Sequence, residues 1–194
     1  ACQHENIIAM CDVDDRAAAE GYNANPKAKR FRDYRIMFDE MANEIDAVII
    51  TTPDHTHFAP AMIAMQLGKH VFIDKPLAHN IWQVRTLKKA ANYYNVISQM
   101  GNQGHATDAI RRVKEWYEAG VVGQVKEVLA WTKSRIYEHW EKDGKYFIKP
   151  ESFPPPRDPV PDRFDWDLWL GPAGFRPYNK IYSKRAWRGF YDFG

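Results

Sequence analysis

Lys75 ends the short apolar run Val71-Phe72-Ile73 in the sequence Asp74-Lys75-Pro76, and the chemistry open to a lysine there is proton transfer. An amine confined beside another cationic group can accept a proton from a hydroxyl, and its ammonium form can donate a hydrogen bond to a developing alkoxide. Pro76 biases the preceding residue toward extended backbone angles, which aims the lysine in one direction. Asp74 either orients Lys75 or terminates the strand. A second polar cluster, Thr51-Thr52-Pro53-Asp54-His55-Thr56-His57, follows the apolar run Ala47 to Ile50. Its His-x-His pair occurs in zinc sites, but no carboxylate or cysteine partner stands at ligand spacing, so no metal is expected. For His55 the plainer reading is a helix-capping or solvent-facing ring. Asn102, Gln103 and His105 follow a third apolar run and either hydrogen-bond a polar ligand or form an ordinary polar turn. Asp12 closes a fourth run, Ile7 to Cys11, and either binds a diol or caps a helix. Further along, Arg135, Tyr137, Trp187 and Arg188 combine guanidinium forks with aromatic faces, groups that suit sugar rings and carboxylates.

The elements that must position these residues can be read from periodicity. Ala47–Ile50 and Val71–Ile73 are short and apolar, as strands buried on both faces are. Between them Thr56 is a candidate cap, Pro60 falls in a first helical turn, and Gly68 follows the helix end. Strand, helix and strand within about 30 residues make a right-handed βαβ unit, which puts both polar clusters at the carboxyl ends of neighbouring strands. Open α/β sheets bind ligands at that edge. Around this unit the pattern predicts a helix from Asp12 to about Tyr22, a strand at Arg30-Phe31 and a helix over Tyr34–Met41. It continues with a helix over residues 80–94 capped by Asn80, a strand over Val96–Met100 and a helix over 107–119 ended by Gly120. This alternation is that of a doubly wound parallel α/β sheet. A strand is expected over Val125–Thr132, then a long loop over 138–165 holding six of the 12 prolines. The expected domains are 1–120, and 121–194 as the start of an α+β substrate and oligomerisation domain. The stripe Trp166, Leu168, Trp169 reads as core or subunit contact rather than ligand platform.

Composition narrows the function classes. Of 194 residues, 45% are hydrophobic and 27% charged, ordinary values for a globular chain. Lys+Arg 27 against Asp+Glu 25 is too balanced for a nucleic-acid footprint. No apolar run nears the roughly 18 residues of a membrane span. Two cysteines, Cys2 and Cys11, exclude a disulfide scaffold. Free thiols favour the cytoplasm, with export left open.

The turn Thr52-Pro53-x-x-x-His57 followed by Asp74-Lys75-Pro76 resembles the Gfo/Idh/MocA family, the glucose–fructose oxidoreductase, inositol dehydrogenase and rhizopine-catabolism group. The family usually has Glu where this chain has Asp74. Trp166-Asp-Leu-Trp-Leu-Gly-Pro-Ala173 and Trp187-Arg-Gly-Phe-Tyr-Asp-Phe-Gly194 resemble segments of its larger redox-type members, so the likeness covers essentially the whole chain. It implies a Rossmann-type sheet, NAD or NADP as cofactor, and hydride transfer between nicotinamide and a sugar or polyol carbon. It makes Lys75 the catalytic residue. It places Asp12, Thr51, Thr52, Pro53, His57, Asp74 and Lys75 at the cofactor, and Asn102, His105, Arg135 and Trp187 at the substrate. In such a fold Ile7–Cys11 is the second strand and Asp12 takes the adenosine ribose hydroxyls, favouring NAD, although Arg16 could accept a phosphate instead. The first strand and its Gly-x-Gly-x-x-Gly turn would precede residue 1. The segment alone is accordingly expected neither to fold stably nor to turn over. The likeness also implies a homo-oligomer, dimer or tetramer, in the full-length protein. Two other functions fit the pattern: a glycosidase using transient oxidation by bound NAD, and a non-catalytic sugar-binding relative.

Overall fold

Residues 4–131, 152–183 and 186–194 are described by the computed structural model. Five parallel strands alternate with helices. β1 (Ala9–Cys11) pairs with β2 (Lys29–Phe31). β3 (Ala47–Ile50), β4 (His70–Asp74) and β5 (Ser98–Gly101) form a second parallel sheet in that order. Between the strands run α1 (Ala19–Ala24), α2 (Tyr34–Met41), α3 (Phe58–Gln66) and α4 (Ile81–Tyr93), with α5 (Asp108–Glu118) after β5. This is the Rossmann-type alternation expected. Its five described strands lie in two ladders, with no pairing between β1 and β3.

Local chemistry sets most helix limits. Asn80 Oδ1 accepts the Gln83 amide at 3.0 Å and starts α4, and Asp33 accepts the Arg35 amide at 2.9 Å and starts α2. Gly68 beyond α3 and Gly120 beyond α5 take φ of 73° and 72°, the left-handed region that favours glycine. The core packs Phe38 and Met41 of α2, Ala61, Ala64 and Met65 of α3, and Leu87 and Ala91 of α4 against Ile50, Val71 and Ile73.

Four expectations need correction. The strands are not buried on both faces: α3 and α4 cover one side, while Ile49 and Phe72 on the other remain 48% and 37% exposed. Helix α1 begins at Ala19 rather than after Asp12, because residues 12–17 are drawn into other bonds. The Asp14 carboxylate accepts the Arg16 amide at 2.9 Å, and the backbone of 13–15 pairs with 163–165. Thr56 does not cap α3; its hydroxyl donates to the Pro53 carbonyl within a 3-10 turn, Asp54–Thr56. Residues 125–131 form no strand.

The second packed unit is aromatic. α6 (Trp166–Leu170) is capped by Asp165, whose carboxylate accepts the Leu168 amide at 2.9 Å. Trp166 and Trp169 stack at 4.9 Å, and Phe164, Tyr178, Tyr182, Trp187 and Phe193 close around them. Trp166 and Trp169 are therefore core, one of the two roles expected of the stripe, while Leu168 is half-buried. This unit is bonded to the first at Asp15 N–H to Arg163 O (3.1 Å) and Asp165 N–H to Val13 O (2.9 Å). Ile73 is fully buried in β4, the strand that ends just before Lys75. Ile73→Ala is expected to cost about 2–5 kcal/mol, read as a lowered urea midpoint of the full-length protein.

Candidate functional site

Strand register assembles the site. Ile50 pairs with Ile73, and Asp74 pairs with Gly101. Thr51 and Thr52 follow the end of β3, Lys75 the end of β4 and Asn102 the end of β5, so all four stand at the carboxyl edge of the sheet. Asp74 Oδ1 accepts the Lys75 amide at 2.9 Å and the Gln103 side chain at 3.4 Å, linking β4 to the turn after β5. The Lys75 side chain is exposed at this edge and makes no hydrogen bond or ion pair among the described residues. The Lys75–Pro76 peptide is cis.

Asp54, which the sequence reading passes over, lies within the field of this lysine. Burial raises its carboxyl above the usual range, and Lys75 foremost, then His57, Arg188 and His79, pull it back down. One desolvated carboxyl thus sits among four basic groups drawn from three segments. Its place inside the Thr-Pro-x-x-x-His turn was the available signal.

The two histidines of that turn have separate duties. His57 is 1% exposed, with Nδ1 2.7 Å from the Pro76 carbonyl oxygen and Nε2 2.7 Å from that of Thr52. Carbonyls only accept, so both contacts are hydrogen bonds when each ring nitrogen carries a proton. No polar atom of the ring is left for a cofactor. The direct contact expected of His57 gives way to a supporting one, in which it ties the turn after β3 to the turn after β4.

His55, expected to cap a helix or face solvent, is 2% exposed. Its ring lies between Trp169 and Phe193, with centroids 5.2 and 5.0 Å away, and its backbone N–H donates to the Phe193 carbonyl at 3.3 Å. Nε2 donates to the Trp169 carbonyl at 3.1 Å, at the end of α6 where the helix supplies no partner of its own. Nδ1 is buried with no hydrogen-bond partner, and burial pulls the ring's pKa down from 6.5 to about 4. Between those two values the unfolded chain binds the proton and the folded one does not. Stability from this group is therefore present above pH 6.5 and lost as pH falls toward about 4. Roughly 3 kcal/mol of pH-dependent stability is expected from a shift of this size. Urea midpoints of the full-length protein at pH 7 and 4.5 should show it, and His55→Gln should lack that part of the change.

At the end of β1 the Asp12 carboxylate accepts the Asp14 amide at 2.9 Å, and burial foremost raises its pKa. The nearby guanidinium groups are engaged: Arg16 with Asp14, Arg32 with Asp15 and Arg35 with Asp33. An uncompensated acidic group at this strand end fits a ribose diol. The exposed Arg16 guanidinium lies 3.3 Å from the Asp14 carboxylate.

On the substrate side, Asn102 and His105 are exposed on and beside the 3-10 turn Gln103–Ala106. Trp187 is not a surface for a sugar ring: it is 5% exposed in the aromatic core, with the Arg188 guanidinium 4.1 Å over it. Burying the indole lets only the guanidinium reach outward. Arg135 and Tyr137 lie outside the described residues. No group of three or more His, Cys, Asp or Glu suited to a metal occurs among the described residues, and none of their helices is long and apolar enough to cross a membrane.

Parallel strands alternating with helices, an acid at the end of β1 and a lysine at the carboxyl edge define a dinucleotide-binding α/β protein. Residues 1–102 match the NAD-binding Rossmann fold of the Gfo/Idh/MocA oxidoreductases, and 106–194 match that family's C-terminal α/β domain. The chain belongs to this family. It is 29% identical over 113 residues to levoglucosan dehydrogenase of Pseudarthrobacter phenanthrenivorans, covering 53% of this chain and 28% of that protein. With glycosyl hydrolase family 109 protein 1 of Shewanella sp. MR-4 it shares 31% over 171 residues, covering 73% and 36%. The structure of scyllo-inositol dehydrogenase from Lactobacillus casei with NAD(H) and scyllo-inositol superposes with a TM-score of 0.53 at 26% identity, covering 63% of this chain and 36% of that one. The chain thus spans little more than a third, at most, of the length of these relatives.

Proposed function

We propose that the full-length protein transfers a hydride between a sugar or polyol carbon and NAD, with Lys75 moving the hydroxyl proton. Bound NAD supplies the hydride acceptor. The observation that carries this reading is that Thr52, Lys75 and Asn102 follow the carboxyl ends of three adjacent parallel strands, with the Asp54 carboxyl in the field of the lysine. Asp12 holds the adenosine ribose. Thr51, Thr52, Pro53 and Asp74 form the wall along which the cofactor lies. Asn102 and His105 hydrogen-bond substrate hydroxyls, and Arg188 faces the same side. Lys75, held by no partner of its own, is free to take the hydroxyl proton as the hydride leaves and to donate a hydrogen bond to the oxygen in the reverse direction.

The test is reduced-nicotinamide absorbance on a sugar and polyol panel with the full-length protein. Lys75→Ala is expected to lower kcat by about 10²–10⁴-fold. NAD is expected to be preferred to NADP, and Asp12→Ala to lower kcat/KM for NAD by about 10–100-fold while narrowing that preference. Equal use of the two cofactors by the unaltered protein would remove the assigned role of Asp12.

The match to a family 109 glycosyl hydrolase over 73% of this chain favours one second reading, a glycosidase that oxidises its substrate transiently with retained NAD. Glycoside cleavage with no net release of reduced nicotinamide would select it. Net reduction of added NAD in step with substrate oxidation selects the dehydrogenase.

A further inference from the structure

His55 has no part in the chemistry just described, yet it is the most heavily engaged side chain of the turn that carries it. It touches two places in the aromatic unit at once. One is the carbonyl of Trp169 at the end of α6, the other the ring and backbone carbonyl of Phe193 near the last residues. Close by, the Thr56 methyl fits against Gly171, where an added Cβ would lie 3.1 Å from it. Two residues along, His57 grips the Thr52 and Pro76 carbonyls. One short turn therefore carries contacts to the aromatic core through His55 and, two residues on, to the carbonyls of Thr52 and of Pro76, the residue after Lys75, through His57.

We propose that His55 is a positioning residue: it registers the aromatic unit against the turn after β3 and, through His57, fixes where the backbone presents Lys75 and Thr52. The proposal rests on the hydride-transfer reading for its kinetic part only. Its mechanical part concerns the folded chain whatever reaction it runs. The ring suits this task because it is flat enough to lie between Trp169 and Phe193 while sending one N–H to a carbonyl at a helix end. A phenyl ring keeps the packing and loses the donor. A glutamine keeps a donor at the reach of Nε2 and loses the ring.

The experiment compares His55→Phe and His55→Gln in the full-length protein by two readouts. The first is steady-state kinetics with NAD and the best substrate of the panel, beside NAD affinity from quenching of tryptophan fluorescence. The second is amide hydrogen exchange at His55, Thr56 and His57, which needs no turnover. His55→Phe is expected to lower kcat at least 10-fold with NAD affinity within about 2-fold, and to speed exchange of the three amides at least 10-fold. His55→Gln is expected to recover most of both. Wild-type exchange and wild-type kcat in His55→Phe would overturn the proposal, as would losses in His55→Gln as large as or larger than those in His55→Phe, which mean that the Nε2 donor is not what holds the turn. If His55→Phe does not fold, Phe193→Leu takes its place: it loosens one side of the ring and keeps the hydrogen bonds. Faster exchange at the same amides supports the proposal and unchanged exchange overturns it. Should no substrate be turned over by the wild type, the hydride-transfer reading fails while the exchange result still decides the role of His55.

Discussion

The imidazole of His57, set between the carbonyls of Thr52 and Pro76, is the constraint on which the site depends. Parallel strands give each other register through backbone ladders, but the ladder between β3 and β4 stops at Ile50 and Ile73. Past that point two turns leave the sheet with nothing regular to hold them together. A backbone carbonyl buried without a donor is costly, and the one His57 ring lies 2.7 Å from two of them. The result is a short brace across the mouth of the sheet. Both turns that flank the lysine are then fixed relative to one another.

The aromatic unit extends this brace outward. It is bonded to the nucleotide-binding part at two distant points: the segment 163–165 against 13–15, and His55 against Trp169 and Phe193. The first contact sits beside Asp12, the second beside the turn of Thr52. The second unit thus holds both of these loops in place. This explains why residues 12–17 stay outside the helix: the backbone at 13 and 15 is already paired to another part of the chain.

The parts legible in the sequence are those whose causes are local. Asn80 marks the start of α4 and Gly68 and Gly120 mark helix ends, because a cap or a left-handed φ acts within a few residues. The apolar runs mark β3 and β4 for the same reason, and with them the row containing Lys75. What could not be read depended on partners far along the chain. The nearest hydrogen-bond partner of the His55 ring is 114 residues away, so a buried strut and a solvent-facing histidine look alike in sequence. Trp187 reads as a platform for a sugar until the fold buries it under Arg188. Asp54 gains its interest only when Lys75 and Arg188 arrive from other segments. The apolar runs also do not say that one sheet face, at Ile49 and Phe72, stays partly open.

These contacts bear on how a flexible side chain can act with geometric precision. Lysine has a long stem and much rotamer freedom, and Lys75 has no side-chain partner among the described residues to restrain it. Were its position set by a salt bridge, moving a proton would first require breaking that bridge. Here its origin is held instead, by the Asp74 carboxylate on its own amide and by the brace on the next residue's carbonyl. The ammonium group is left to search a small volume from a fixed point, with the desolvated Asp54 carboxyl as a nearby electrostatic reference. In the proposed hydride transfer, a rigid base with a mobile tip would let the amine serve a hydroxyl in either direction without giving up a structural bond in either.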